Sequence, residues 1–478
     1  MAAADDLRGK RVTVVGLGTL GGGVGVARYL CEQGARVTVT DMRDAQALAS
    51  SVQDLEGLPI SFHLGGHEIR DFMPEGADIV VRNPGVPRRS RFLLAAREHG
   101  VPIEMEMSLF FRACPAPVIG VTGTKGKTTV STLIGDILTR WDASTVVAGN
   151  MGISALAALS RIRPETPVVI ELSSWQLEAL DEHGLGPSIA VLTNIHEDHL
   201  THYDGFEDYA STKRSIGAHV GEDDVVIYNS DQDDCRRIAE VTRGVLMPFG
   251  LHHRPGNGAW LAGDTLLVRW DGSEERYARP RQLALDGPAG VANALAAIAA
   301  ATVRGVPANI IDASLRAFAG VPNRLEQVDR CAGVTFINDT SATAPVAAAA
   351  TIRLLHSRGE QLTVIAGGAD KASDFGPLAE AVVETGASLV LLEGSGTQRL
   401  RERLRDIGME TPPPHGSLAA AFEDAVGRGS GERTVALSPG CASFGMFRNE
   451  FDRGEQFRVL VRAWCDRNKE RPASPSGR

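Results

Sequence analysis

The sequence predicts an α/β protein of three domains, on three observations. Short β-branched runs alternate with helical patterns along nearly the whole chain. Two glycine-rich loops each fall between a strand pattern and a helix pattern. The length, 478 residues, suits three domains at about 150 residues each. Strand runs at Val12–Val15, Val37–Thr40 and Ile79–Val81 define a first unit, closed by a break at Cys114-Pro115-Ala116-Pro117. A second unit carries Val118–Val121, Val168–Ile170, Ile189–Leu192 and Val225–Tyr228, and ends on a helix near Val291–Val303. After Gly320-Val321-Pro322 a third unit holds Val334–Ile337, Leu362–Ala366, Leu389–Leu392 and Thr434–Leu437. The expected boundaries are therefore 1–114, 115–322 and 323–466, followed by a polar, Pro- and Ser-containing tail at 467–478 expected to be disordered.

Composition narrows the function. Forty-nine basic against 59 acidic residues give a net charge of -10, and no long basic run occurs, which argues against nucleic acid or an anionic membrane as general partner. Six cysteines (Cys31, Cys114, Cys235, Cys331, Cys441, Cys465) are scattered without CxxC spacing and read as reduced thiols. The acidic, polar start MAAADDLRGK is unlike a secretory signal, and the alanine-rich stretch Ala289–Val303 is too short to span a bilayer. A cytoplasmic protein without membrane insertion is expected.

The segment Gly120-Val-Thr-Gly-Thr-Lys-Gly-Lys-Thr-Thr129 follows a strand and opens a helix. Backbone N–H groups of such a loop, together with the helix N-terminus, cradle phosphates. Gly123, Thr124, Lys125 and Gly126 form the loop, Lys127 is placed to reach the β- and γ-phosphates, and Thr128 or Thr129 to help hold magnesium. Its spacing departs from strict GxxxxGK[ST], since Val121 stands five residues before Gly126. The loop indicates ATP and leaves the reaction open.

A second loop, Gly16-Leu-Gly18-Thr-Leu-Gly21, follows the first strand and is trailed by Asp41. By spacing this is a dinucleotide fingerprint, yet the physics favours any diphosphate at a helix N-terminus, a UDP-sugar as well as a nicotinamide cofactor. Glu171 ends an apolar strand, where ligands of open α/β sheets gather, and is placed to bind magnesium or to be an exposed strand-end acid. Past the next strand comes Thr193-Asn-Ile-His-Glu-Asp-His199, with His199 a candidate metal ligand. Zinc at His183, His196, His199 and His202 is disfavoured because no cysteine is near and no HExxH occurs. Lys213 sits on a polar helix pattern and by itself reads as a surface lysine. In the third unit Arg324, Asp339 and Lys371 lie near strand ends or turns, as phosphate-pairing groups or as ordinary surface charges.

These motifs together resemble the Mur ligases, over nearly the whole chain. The ELSSWQLE segment at Glu171–Glu178 looks like the glutamate-adding branch, and TGTKGKTT, GNMG, NIHEDHL, NALAA, GVPNRLE and SPGCAS support it. The resemblance implies an N-terminal Rossmann-like domain for a UDP-sugar, a central P-loop mononucleotide-binding parallel sheet and a C-terminal Rossmann-like closing domain. It implies an ATP-dependent amide ligation in peptidoglycan precursor synthesis, joining D-glutamate to UDP-N-acetylmuramoyl-L-alanine through an acyl-phosphate, with magnesium as cofactor and a monomer as the working form. Gly16, Gly18, Gly21, Asp41 and Arg43 would then hold UDP, and Asn150 would contact the same substrate. Lys127 and Thr128 would bind ATP phosphates, Asn293 the adenine, and Arg324 and Asp339 the nucleotide from the closing domain. Glu171 and His199 would bind magnesium with Thr128, Lys213 would be carbamylated beside it, and Thr343, Lys371, Ser443 and Phe444 would meet the incoming glutamate.

Three segments depart from the family pattern. Ala289-Gly290 precede NALAA where His-Asn is frequent, Asn338–Ala344 reads NDTSATA where NDSKATN is frequent, and Asn449–Gly454 reads NEFDRG where NFEQRG is frequent. The second loses a lysine that meets glutamate, so L-glutamate stays open beside D-glutamate. A folylpolyglutamate synthetase shares the ATP loop but not the first domain. A nicotinamide dehydrogenase leaves ELSSWQLE unexplained, and a non-catalytic scaffold would be expected to lose Lys127, Glu171 or His199.

Overall fold

Strand-forming residues fall into three sheets. The computed structural model describes residues 7–19, 21–149, 154–198, 202–252, 256–283, 285, 287–359, 361–370 and 373–469. The chain divides into two compact units, Met1–Phe318 and Ala319–Arg478. The first unit contains two sheets and the second one, giving the three-domain α/β architecture expected.

The first sheet is parallel: β1 (Arg11–Val15), β2 (Arg36–Asp41), β3 (Ile60–Leu64), β4 (Ile79–Arg82) and β5 (Ile103–Glu104), in the order β3-β2-β1-β4-β5. Val12, Val14 and Val15 are all buried, the near-continuous apolar run of a strand covered on both faces. Chain order reverses at β1, so the loop after β1 opens at a topological switch point.

The middle sheet has nine strands: β6 (Val118–Thr122), β7 (Val146–Gly149), β8 (Val168–Glu171), β9 (Ile189–Leu192), β10 (Val225–Asn229), β11 (Val245–Gly250), β12 (Gly258–Ala262), β13 (Thr265–Trp270) and β14 (Ser273–Arg276). Their order is β14-β13-β12-β11-β10-β9-β6-β8-β7, with β12, β13 and β14 an antiparallel meander at one edge. β6 therefore lies between β9 and β8, and the loops after these strands and after β7 share one sheet edge. The helix Gly287–Val303, buried almost all round by alanines, packs against Lys127–Trp141 and strands β10 to β13.

Within this unit, charged side chains tie the first sheet to the middle one. Arg82 at the end of β4 donates to Glu178 at 3.1 Å, Arg88 pairs with Asp208 at 3.1 Å, and Arg112 contacts His183 at 3.1 Å. The Arg82 side chain is only 3% exposed, so Glu178→Ala leaves a guanidinium buried without its carboxylate. That variant should lose about 3–5 kcal/mol of unfolding free energy in a urea titration. A midpoint unchanged from the parent would show that the pair is not a major tie.

The second unit carries β15 (Glu326–Cys331), β16 (Val334–Asn338), β17 (Gln361–Gly367), β18 (Ser388–Leu392) and β19 (Arg433–Leu437). Their order is β15-β16-β19-β17-β18, parallel except for β15. A long helix, Glu450–Lys469, packs on β15 and β16 and continues through Lys469, past the point where the tail was expected to begin. Phe457, Val461 and Cys465 on its inward face are buried, so packing extends the helix into a segment whose composition is polar. The reading of six reduced thiols is also corrected. Cys331 and Cys465 form a disulfide across 134 residues, joining β15 to this helix at a Cα–Cα distance of 5.7 Å. Cys31, Cys114, Cys235 and Cys441 are free. Sequence spacing carries no signal of a pairing made by a helix returning to an edge strand.

Candidate active site

The glycine-rich loop leaves β6 and enters the helix Lys127–Trp141 through Gly126, whose φ of 80° is the left-handed conformation glycine tolerates. The loop is walled by the chain after β9. Thr193 donates its hydroxyl to the Lys125 carbonyl at 2.7 Å, Asn194 accepts from the Lys125 amide at 2.8 Å, and Thr124 donates to the His196 carbonyl at 3.2 Å. Lys127 curls over the loop, donating to the carbonyls of Gly123 and Thr124 at 2.9 and 3.0 Å. Thr128 and Thr129 occupy the first helical turn, half-buried. Asn293 touches the same loop, since a Cβ at Gly126 would lie 2.5 Å from its Oδ1.

Glu171 ends β8 beside this loop with 1% exposure. A capping box starts the next helix immediately, Ser173 and Gln176 satisfying each other's backbone N–H groups, so the strand end is held rigidly. Lys213 is the clearest correction to the surface reading. It is 2% exposed, donates to the Thr122 hydroxyl at 3.2 Å, and lies over the Tyr209 ring. Burial first, and the Lys127 charge second, hold its ammonium well below the ordinary lysine range, while Glu171 and Asp198 oppose the shift. Tyr209, Ala210 and Lys213 share the buried face of the helix Phe206–Arg214. The Tyr–Ala–Lys spacing of an inward helical face was the available signal for a buried lysine. Thr122, which links Lys213 to β6 and donates to the Leu172 carbonyl at 2.8 Å, carried no such signal.

β7 pairs with β8 so that Gly149 stands opposite Glu171. Its φ is 102°, and a Cβ there would lie 2.4 Å from the Glu171 carbonyl oxygen. Gly149→Ala should therefore displace the carboxylate and lower kcat/KM of the expected ligation by about 100-fold. Unchanged kcat/KM in steady-state assays would mean that the position of Glu171 is not critical. Asn150, His199 and Lys371, expected to contact substrate, metal and glutamate, lie outside the described residues.

In the first sheet the loop after β1 turns through Gly16, Gly18 and Gly21, with φ of 85°, 69° and 87°. Asp41, at the end of β2, accepts from the Gly18 amide at 3.2 Å and the Arg43 amide at 2.9 Å. Burial pushes its carboxyl up, but these amides and the Arg43 guanidinium bring it below the ordinary value. Arg43 is half exposed above the loop. Glu106 crosses from the first domain to the middle one. It accepts from the Ser154 hydroxyl at 2.6 Å and the amides of Ala155 and Leu156, capping the short helix that follows GNMG; the sequence reading did not single it out.

The second unit gathers its own candidates at the C-terminal edge of its sheet. Arg324 is exposed on a loop whose neighbours Asn323 and Leu325 both have positive φ, 67° and 47°. Asp339 is buried, its carboxylate accepting from Thr351 at 2.6 Å, Ser438 at 2.8 Å and the Leu325 amide at 3.1 Å. The loops after β16, β19 and β17 are joined by Gly440 N–H to the Ala342 carbonyl, 2.8 Å, and by paired backbone bonds between Ala369 and Ala442, 3.0 Å each. Thr343 and Ser443 thus stand on adjoining loops, with Phe444 exposed beside them.

Donors in the first unit suit a hard divalent cation: a buried carboxylate at Glu171 and a hydroxyl at Thr128, both oxygen. The fold and this edge define a P-loop nucleotide-binding protein. The sequence matches the family model described as the Mur ligase middle domain over residues 121–301 and the one described as the Mur ligase MurD-like N-terminal domain over residues 10–104. It is 44% identical over 468 residues to the UDP-N-acetylmuramoylalanine–D-glutamate ligase of Roseiflexus sp. (strain RS-1), covering 96% of this chain and 99% of that one. The enzyme of that name from Geotalea uraniireducens (strain Rf4) is 36% identical over 465 residues, covering 96% and 99%. This chain belongs to the Mur ligase family, in its MurD-like group.

Among solved structures, the UDP-N-acetylmuramate-alanine ligase MurC of Thermotoga maritima superposes with a TM-score of 0.56 at 20% identity, covering 95% of this chain and all of that one. A murein peptide ligase of Psychrobacter arcticus 273-4 gives 0.52 at 17% identity, covering 98% of this chain and 100% of that one. At these identities the likeness bears on fold alone.

Proposed function

We propose that this chain is an ATP-dependent ligase that joins D-glutamate to UDP-N-acetylmuramoyl-L-alanine, forming ADP and phosphate. The observation that carries the chemistry is the convergence of the phosphate loop, Glu171 and the desolvated Lys213 on one edge of the middle sheet. Near-full-length similarity to ligases of that name supports the choice of substrates. A nicotinamide-dependent reading accounts for the Gly16–Gly21 loop but gives no role to this edge.

In the first step an oxygen of the alanyl carboxylate attacks the γ-phosphorus of ATP. The bond from that phosphorus to the β–γ bridging oxygen breaks, and ADP leaves. In the second step the amine nitrogen of glutamate attacks the acyl-phosphate carbonyl, phosphate departs with the bonding electron pair, and the nitrogen loses a proton. The amides of the loop and the N-terminus of the helix Lys127–Trp141 hold the phosphate chain, and Lys127 neutralises charge that builds on the transferring group. Magnesium would be held by Glu171, Thr128 and a carbamate on Lys213, supplying charge neutralisation to the phosphates. A neutral Lys213 amine is the form that captures CO2, so the suppressed ammonium supports that modification. Gly16, Gly18, Gly21, Asp41 and Arg43 would hold the UDP group, and Thr343 and Ser443 the glutamate.

The test is phosphate release from ATP with UDP-N-acetylmuramoyl-L-alanine and magnesium, run separately with D- and L-glutamate. Release with D-glutamate is the expected result. Release with L-glutamate alone would keep the reaction and reverse the hand of the acceptor, and release with neither would overturn the proposal.

A further inference from the structure

Among the described residues, the largest fully buried side chain belongs to an arginine that no step above uses. Arg453, on the helix Glu450–Lys469, is 0% exposed. No carboxylate lies within ion-pair distance of it among the described residues; Glu450 acts only through its charge. The guanidinium is instead solvated by the ends of two loops. Nε donates to the Thr340 hydroxyl at 2.9 Å and Nη2 to the Thr340 carbonyl at 3.0 Å, while Nη1 and Nη2 reach the Cys441 carbonyl at 3.3 and 3.4 Å. The Thr340 hydroxyl passes its own hydrogen to the Glu450 carbonyl at 3.0 Å, closing the loop onto the helix. Phe447 offers its ring face to the guanidinium at 5.8 Å.

The next residue brings the helix close enough for this. A Cβ at Gly454 would lie 2.2 Å from Asn323 Oδ1 and 2.7 Å from Thr340 Cγ2, so only glycine lets the helix lie flush on the loop. Burial holds the guanidinium down to about 10, still charged near neutrality. A buried cation without an ion pair is costly unless all its donors are used, and the planar fork of arginine is what spans two separate carbonyls. A residue that only filled space here would be apolar.

Thr340 follows β16 and stands three residues before Thr343; Cys441 follows β19 and stands two before Ser443. We infer that Arg453 is a positioning residue for the amino-acid acceptor, setting the separation of the loops that carry Thr343 and Ser443. The inference rests on the proposed function for the identity of that acceptor. Arg453 touches no reacting atom in this scheme and acts through the two loops.

The experiment compares the full-length chain with Arg453→Lys, Arg453→Met and Thr340→Val, measuring KM for D-glutamate and for UDP-N-acetylmuramoyl-L-alanine, and the melting temperature. Arg453→Lys should raise KM for D-glutamate about 10-fold or more and leave KM for the UDP substrate, whose candidate residues lie in the other unit, within about two-fold. Thr340→Val, which keeps both carbonyls, should shift glutamate KM in the same direction by less. Should Arg453→Met not fold, these two variants still decide the matter. A lowered melting temperature with glutamate KM unchanged would overturn the inference and leave a packing role. So would a rise in both KM values together. Absence of glutamate-dependent turnover in the parent chain would overturn the proposed function, and the glutamate site with it.

Discussion

Replacing Lys213 by alanine should lower ligation about 100- to 1,000-fold, and formate or acetate at millimolar concentration should restore part of it. The size follows from removing one preorganised charge at a site of phosphoryl transfer. The rescue follows from what the pocket accommodates. Lys213 is buried between Thr122, Tyr209 and the neighbourhood of Glu171, and alanine leaves a space bordered by hydroxyls where a small carboxylate can stand in for a carbamate. Carbamylation consumes a neutral amine and CO2 and releases a proton, so activity should also fall as pH drops and the amine protonates. The same shift bears on stability. With the folded-state value below the ordinary 10.5, the unfolded chain binds the proton more tightly, so stability without CO2 rises with pH between the depressed value and 10.5. An alanine variant with unimpaired kcat would remove Lys213 from the site, and a large loss that no carboxylate relieves would remove the carbamate.

Lys127→Ala should abolish ATP turnover, on the order of 1,000-fold or more, while the protein stays folded. Lys127 is half-buried and folds back onto carbonyls of its own loop, contacts that shape the loop more than the core. Phosphate release and the thermal midpoint measured on one preparation separate the two effects. Near-parental phosphate release would end the phosphate-loop assignment, and a collapsed midpoint would show the lysine to be structural.

Much of this was legible in the chain because two signals are local. Every strand read from a β-branched run, Val12–Val15 through Thr434–Leu437, lies within a strand of the structure, since buried parallel strands write continuous apolar sequence. The phosphate loop was legible for the same reason: its glycines, lysine and threonines act through their own backbone and adjoin in sequence. Edge elements were not. β14, Ser-Glu-Glu-Arg, is exposed and polar throughout, so pairing with β13 rather than composition makes it a strand. Lys213 was misread from its surroundings, because a polar helix hid one inward face. The Cys331–Cys465 pair and the grip of Arg453 on Thr340 depend on a helix returning over a hundred residues later to β15 and to the loop after β16. Their signal is tertiary, and periodicity does not contain it.

The walls of the phosphate loop have a consequence for synthesis on the ribosome. β6 receives its two neighbours from β8 and β9, the loop is braced by Thr193, Asn194 and His196, and Asn293 reaches it from the helix Gly287–Val303. A nascent chain can thus expose the complete glycine-rich motif long before it can bind nucleotide well. If Asn293 meets the adenine, as the family resemblance implies, competence arrives only when the helix bearing it has cleared the exit tunnel and packed. Nucleotide present during translation then rewards the finished domain rather than its fragments, because a ligand stabilises only the state that binds it.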